Sequence, residues 1–346
     1  MLDRRTLLTT TAGAAAVTAA GSLLGAAPAV AAPRRGAVLA RGLDIPWGLT
    51  FLPNGDALVT ERENARVSRV RRGGGLVSVG RIEGVDLSDD AGEGGLLGCV
   101  VSPTFREDRE VFFYLTTPTD NRVIAMRFVG GGLQDRRTVL AGIPRARTHN
   151  GGRLAFGPDG LLYATTGDTR EPSTSQNTSS LAGKILRMQR DGSPAAGNPF
   201  GNQVWSYGHR NVQGVAWDAD GRMWATEFGE QRTDELNRIR SGGNYGWPGT
   251  EGRGGPAGTI DPFVTWSLTG TCSPSGLAVA RGRAWVGALA GQSLYSVVLA
   301  GPDEGRIRRH FRGDVGRIRT VVTAPDGSLW ITTANGGNDR VIRVLL

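Results

Sequence analysis

A histidine and an aspartate, His149 and Asp168, close the two ends of a stretch that reads as strand, turn and strand. The first arm runs Thr148-His149-Asn150-Gly151-Gly152-Arg153-Leu154-Ala155-Phe156, and the second Leu161-Leu162-Tyr163-Ala164-Thr165-Thr166-Gly167-Asp168. Between them Pro158-Asp159-Gly160 supplies the turn, because Pro fixes φ and Gly accepts a positive φ. The flanking runs are apolar or β-branched, as half-buried strands prefer. A hairpin of this shape returns its outer ends to one rim, so His149 and Asp168 are expected to be neighbours. A carboxylate beside an imidazole orients the ring and raises its basicity, the arrangement of a general base. The chain holds three histidines (His149, His209 and His310). The competing reading is a loop histidine with an incidental acidic neighbour.

The elements that must position this pair recur along the chain. Pro53-Asn54-Gly55 leads into Ala57–Glu61, Ala219-Asp220-Gly221 into Met223–Glu227, and Pro325-Asp326-Gly327 into Leu329–Thr333. Weaker copies stand at Ala280-Arg281-Gly282 and at Pro103, so the units begin at 53, 103, 158, 219, 280 and 325. A second element follows in most units, an apolar strand alternating with a basic residue: Arg66–Val70, Arg122–Met126, Lys184–Met188, Leu236–Ile239 and Arg340–Val344. Short strands, 53 glycines and no long helical period argue for an all-β chain. Six units of this size, each with four strands, predict a six-bladed β-propeller in a single domain, residues 33–346. A pair of β-sandwiches is the alternative, which the regular spacing disfavours. The post-turn strands end on polar residues (Glu61, Asp168, Glu227 and Asn335), placing those ends at one mouth of a central channel, where a ligand is expected. Asp159, Asp220 and Asp326 read as turn residues only.

Residues 1–32 read as an export signal rather than fold. Arg4-Arg5 precedes a weakly apolar Ala-, Thr- and Leu-rich run that ends in Ala29-Val30-Ala31, the pattern of a twin-arginine signal and its cleavage site. An ordinary secretory signal is the competing reading, and either one sends the mature chain out of the cytoplasm. The full chain carries a net charge of +8, and loss of Asp3, Arg4 and Arg5 leaves +7. The basic residues are arginines except for Lys184, and they are scattered rather than gathered into the patch that a nucleic-acid surface needs. No stretch after residue 32 is long and apolar enough to span a membrane. Cys99 and Cys272 have no metal-ligand spacing, and in an exported chain they are free to pair.

From about Asp44 to the C-terminus the sequence resembles the soluble quinoprotein glucose and aldose sugar dehydrogenases, the glucose/sorbosone dehydrogenase-like propellers. The resemblance is carried by Asp44-Ile45-Pro46-Trp47-Gly48-Leu49, Glu93-Gly94-Gly95-Leu96-Leu97-Gly98 and the stretch from Thr148 to Asp168. It continues in Gly183-Lys184-Ile185-Leu186-Arg187, Gly208-His209-Arg210-Asn211-Val212-Gln213-Gly214, Asp234-Glu235-Leu236-Asn237, Asn244-Tyr245-Gly246-Trp247-Pro248 and Arg317-Ile318-Arg319. Such a resemblance implies oxidation of an aldose-type sugar to its lactone, with pyrroloquinoline quinone (PQQ) and calcium as cofactors and an external electron acceptor. His149 matches the base on the anomeric hydroxyl, Asp168 the carboxylate that holds it, and Arg210 the arginine beside the reacting quinone oxygen. Glu93 matches a position near the quinone, and Asn211, Arg317 and Arg319 match cofactor contacts; two arginines suit an acid-bearing quinone, because guanidinium binds carboxylate bidentately. Backbone oxygens of Gly229 and Glu230 match the loop that holds the cofactor's calcium. Asp234, Glu235 and the carbonyl of Tyr245 match a second, structural calcium site. His209 reads as a loop brace, and Tyr245 and Trp247 as core or strand-end aromatics.

The sequence departs from the family's glucose enzyme in the cofactor shell. Ala290 stands where that enzyme has a lysine, Glu93 and Phe228 stand where it has glutamines, and Glu230 replaces a proline. Two other functions compete with the dehydrogenase. A calcium-dependent lactonase propeller would gather several carboxylates on one channel metal, with Glu61 and Glu227 as candidates. A non-catalytic propeller would bind glycan or protein.

Overall fold

The computed structural model describes residues 32–346, so the export-signal reading lies, Ala32 apart, outside the described residues. The described residues form 24 strands in six four-stranded antiparallel sheets, with one short α-helix, Phe105–Asp108. These are the six blades expected. No helix among them is long and apolar enough to cross a membrane. The repeating chemistry explains the repeating blade. In the third blade Asp159 caps the turn through Leu161 N and pairs with Arg187 of the basic-alternating strand at 2.9 Å. Arg69 with Asp56 and Arg343 with Asp326 repeat that pair in the first and sixth blades. Such partly exposed pairs contribute about 0–1 kcal/mol each and mainly fix register.

The core is a ring. Six apolar clusters fill the six gaps between neighbouring blades, with Trp47, Trp224 and Trp285 among the largest fully buried side chains. Ring closure uses the beginning of the fold. Arg34–Leu43 pairs antiparallel with Asp339–Leu345, so the sixth blade takes its outermost strand from the opposite end of the sequence.

The six innermost strands are Pro46–Phe51, Leu96–Val101, Leu154–Phe156, Val212–Trp217, Pro274–Ala280 and Ile318–Thr323. They run the same way along the channel. Residues before or early in these strands line one cavity of about 450 Å³, and residues late in them line another of about 390 Å³. Register shifts fall between Pro46 and Gly48, Val212 and Gly214, and Ile318 and Thr320. A bulge leaves one residue out of the ladder and re-aims it. Here the bulged residues are Trp47, Gln213 and Arg319, and all three line the upper cavity, the one of about 450 Å³.

Candidate active site

His149 and Asp168 meet as the hairpin requires. Nδ1 of the imidazole lies 2.7 Å from Asp168 Oδ1, and the aspartate is 1% exposed. The backbone of His149 sits at φ 61°, a region costly for a side chain with a Cβ. It is held there on both sides: His149 N donates to Glu93 Oε2 at 3.3 Å, and His149 O accepts from Thr169 N. Glycine at 167 makes this approach possible, since a Cβ there would lie 1.8 Å from His149 O. Burial alone would raise the Asp168 carboxyl, but donors from His149, Arg170 N and Trp247 outweigh it and hold the carboxyl below its ordinary range. With Nδ1 engaged by Asp168, Nε2 remains for the cavity that His149 lines.

Arg210 stands beside the pair, at the start of the fourth blade, where its carbonyl accepts from Asp168 N at 2.7 Å. Its backbone N–H donates to Glu227, Nη1 donates to Phe228 O at 3.4 Å, and its guanidinium lies 5.4 Å from the centre of the Trp247 ring. Asn211 lines the same cavity and accepts from Gly151 N, tying the histidine loop to the fourth blade. His209 is a brace: it is fully buried, bonded to Glu227 and Ser206, and stacked on Tyr245 at 4.7 Å. Trp247 does more than the core role expected of it, because its indole N–H donates to Asp168 Oδ2 at 2.8 Å.

The cavity is strongly cationic. Arg62, Arg210, Arg317 and Arg319 line it, with Glu93 as the single carboxylate among the lining residues. Arg319 is buried and bonded to Gln213 Oε1 and Ser275 Oγ, while Arg317 is exposed at the rim. Burial, reinforced by the neighbouring Arg62, pushes Arg319 down to about 9. Below it Arg153, also buried, donates to Gln213 O and Thr320 Oγ1 and packs 4.3 Å from the centre of the Trp47 ring. Arg153, Trp47, Gln213 and Arg319 thus form a polar plug across the channel. The Nε atoms of Arg62, Arg210 and Arg319 are buried without a partner. A buried donor left unpaired costs about 1–3 kcal/mol, so three at one cavity fit an anionic ligand with several acceptors.

The remaining expected positions lie off the cavity wall. Asp234 and Glu235 do not converge on one ion. They are consecutive in the strand Thr233–Ile239, so they face opposite ways. Asp234 accepts from Gly229 N and Ser273 N, and burial raises its carboxyl to about 6. Glu235 accepts from Asn237 Nδ2 and Gly252 N, and burial beside Glu227 pushes its carboxyl upward. Tyr245 uses its ring on His209 and its hydroxyl on Arg238 O. Gly229 and Glu230 do not line the cavity, whereas Phe228 beside them does. Their loop is wound around Glu251, which accepts the N–H groups of Glu230, Gln231, Arg232 and Thr233. A Cβ on Gly229 would lie 2.4 Å from that carboxylate, so the winding requires glycine. Ala290 is exposed and off the cavity wall; Leu289 lines it instead. Cys99 and Cys272 are both buried and unpaired, in separate core clusters.

The lactonase reading loses its metal ligands. Glu61 is spent on Asp44 N, Asn64 and Ser68, and Glu227 on Arg210 N, His209 and Asn237. Neither lines the cavity.

Fold and site define a six-bladed propeller with a histidine–aspartate pair at an arginine-lined channel mouth. The Glucose / Sorbosone dehydrogenase family model matches residues 43–343, and the chain belongs to that family. Among solved structures it is similar to the PQQ-bound form of aldose sugar dehydrogenase from Streptomyces coelicolor, with 44% identity and a TM-score of 0.87, covering 92% of this chain and 99% of that one. It is 31% identical to the aldose sugar dehydrogenase YliI of Escherichia coli K12, over 86% of this chain and 89% of that protein. It is 32% identical to quinoprotein glucose dehydrogenase B of Acinetobacter calcoaceticus, over 62% of this chain and 52% of that protein.

Proposed function

We infer that the protein is a PQQ-dependent dehydrogenase that oxidises an aldose-type sugar to its lactone. The observation that carries this reading is the buried His149–Asp168 pair facing a cavity whose arginines keep three unpartnered Nε atoms. Arg62, Arg317 and Arg319 would hold the acid groups of the quinone, with Asn211 and Glu93 lining the same cavity. When bound, PQQ supplies the two-electron acceptor for the hydride leaving the anomeric carbon. His149 Nε2 takes the proton of the anomeric hydroxyl, Asp168 keeps Nδ1 protonated and the ring aimed, and Arg210 places a fixed positive charge on the cavity wall where negative charge develops.

Calcium belongs to the same proposal. The carbonyls of Gly229 and Glu230 would hold the cofactor's ion. Gly229 O takes no protein hydrogen bond among the described residues, while Glu230 O accepts from Thr269. A second ion would sit at Glu235 and the Tyr245 carbonyl, without Asp234. The unpartnered buried Oδ1 of Asn237, beside Glu235 and Glu227, favours a cation there.

The test is reconstitution. Cofactor-free protein should gain the absorbance of bound quinone only with PQQ and calcium together, and should then reduce a dye in the presence of an aldose. Tight quinone binding after exhaustive chelation would remove calcium from the reading, and lactone hydrolysis without quinone would replace the reading altogether. Residues 1–32 are proposed as a twin-arginine export signal; changing Arg4 and Arg5 to lysine should trap the precursor in the cytoplasm.

A further inference from the structure

We propose that Trp247 is a positioning residue that holds Asp168 as an oriented carboxylate and links that carboxylate to the Arg210 guanidinium. The indole N–H donates to Asp168 Oδ2 at 2.8 Å, and the other oxygen, Oδ1, accepts from His149 Nδ1 and Arg170 N. Each carboxylate oxygen therefore has its own donors, and the plane of the group is fixed. The face of the same indole lies 5.4 Å from the Arg210 guanidinium. A cation over the ring draws on its electron density and strengthens the N–H as a donor. One aromatic side chain thus touches both the group that aims the base and the Arg210 cation.

The tryptophan is itself fixed from outside the cavity. Its backbone N–H donates to Gly208 O, and its backbone carbonyl accepts from Gln176 Nε2 at 2.7 Å. Gln176 also exchanges two hydrogen bonds with Asn244, so the segment carrying Trp247 is clipped to the turn Pro172–Gln176. Lys184, buried, donates to Thr174 O, Ser175 O and Ala182 O, which fastens that turn to the third blade. The charged groups around the pair are Glu93 on the His149 backbone and Arg62, Arg210, Arg317 and Arg319 on the cavity walls. None of these donates to Asp168 Oδ2, so the donor lost with the indole is not replaced from the cavity.

This inference rests on the proposed role of His149, and its test separates the two. In cofactor-free protein carrying 13C at the aspartate carboxyl carbons, the Asp168 signal is identified by its loss in Asp168→Asn. In Trp247→Phe, which keeps a ring under Arg210 but removes the N–H, that signal should titrate at higher pH than in the wild type, because the anion has lost a donor. A group that only filled space would leave this titration unmoved while lowering the unfolding temperature. In the reconstituted enzyme the acid limb of sugar-driven quinone reduction should move to higher pH in the same variant, with KM for the sugar changed less than kcat. If Trp247→Phe does not fold, Gln176→Ala, at an exposed position, releases the clip with the indole intact and should give a smaller shift of the same sign. An Asp168 titration identical to wild type in the folded variant overturns the proposal, whatever the enzyme oxidises. A shifted titration in a protein that never reduces quinone keeps the proposal and refutes the dehydrogenase reading.

Discussion

The two ends of the channel are made by the same six strands and differ in almost every property. The upper cavity, about 450 Å³, is walled by arginines, His149, Asn211 and Gln213. The lower, about 390 Å³, is walled mostly by Leu49, Val100, Phe156, Val215, Leu277 and Val321. At the lower end the ladder is regular and its side chains pack. At the upper end, bulges in the first, fourth and sixth blades break the ladder and turn Trp47, Gln213 and Arg319 into the channel. The polar site is therefore built where strand pairing is interrupted, and the packing that supports it lies further along the same strands.

The largest effect expected from breaking this division is at His149. His149→Ala should slow sugar-driven reduction of bound quinone by about 10²–10⁴, the usual contribution of a general base. Stopped-flow absorbance checks this, and quinone affinity should persist because the matched cofactor contacts lie elsewhere. Leu277→Ala, in the lower wall, should do the reverse: a loss of about 2–5 kcal/mol in unfolding free energy, measured in urea, with quinone binding unchanged. A change in quinone affinity there would mean that the plug does not separate the cavities. Arg319→Ala and Arg62→Ala should each weaken quinone binding by about 1.5–3 kcal/mol in absorbance titrations, through loss of charge-assisted contacts. If neither does, the unpartnered guanidinium nitrogens do not mark the cofactor site. The smallest effect concerns acid stability. Asp168 is held below its unfolded value, so its contribution is present above about pH 4 and fades as pH falls through the folded value. Asp168→Asn should flatten the dependence of the urea midpoint on pH below about 4 relative to wild type, with the two curves running parallel at higher pH.

What the sequence makes legible follows from how local the cause is. Pro158-Asp159-Gly160 and its copies specify turns within a few residues, so both the blades and the meeting of His149 with Asp168 can be read directly. Trp247 cannot be read in this way, because it reaches Asp168 across 79 residues from the long loop between the last two strands of the fourth blade. Arg62 was hidden by its neighbour: Glu61 stands at the strand end and draws attention, yet its carboxylate turns inward while Arg62 faces the cavity. Gln213 depends on a bulge, which no hydrophobic period reveals. Adjacent positions in a strand look interchangeable in a motif, although the pleat sends Asp234 and Glu235 to different partners. The same one-residue resolution separates Ala290 from Leu289.

Closure of the sixth blade has a consequence for how the chain is made. Synthesis delivers Arg34–Leu43 first, and its only ladder partner, Asp339–Leu345, about 300 residues later. Until then that strand is an open edge with unmet N–H and C=O groups, the kind of surface on which chains pair wrongly. Blades can form one after another during synthesis, but the ring can lock only once Asp339–Leu345 has been made.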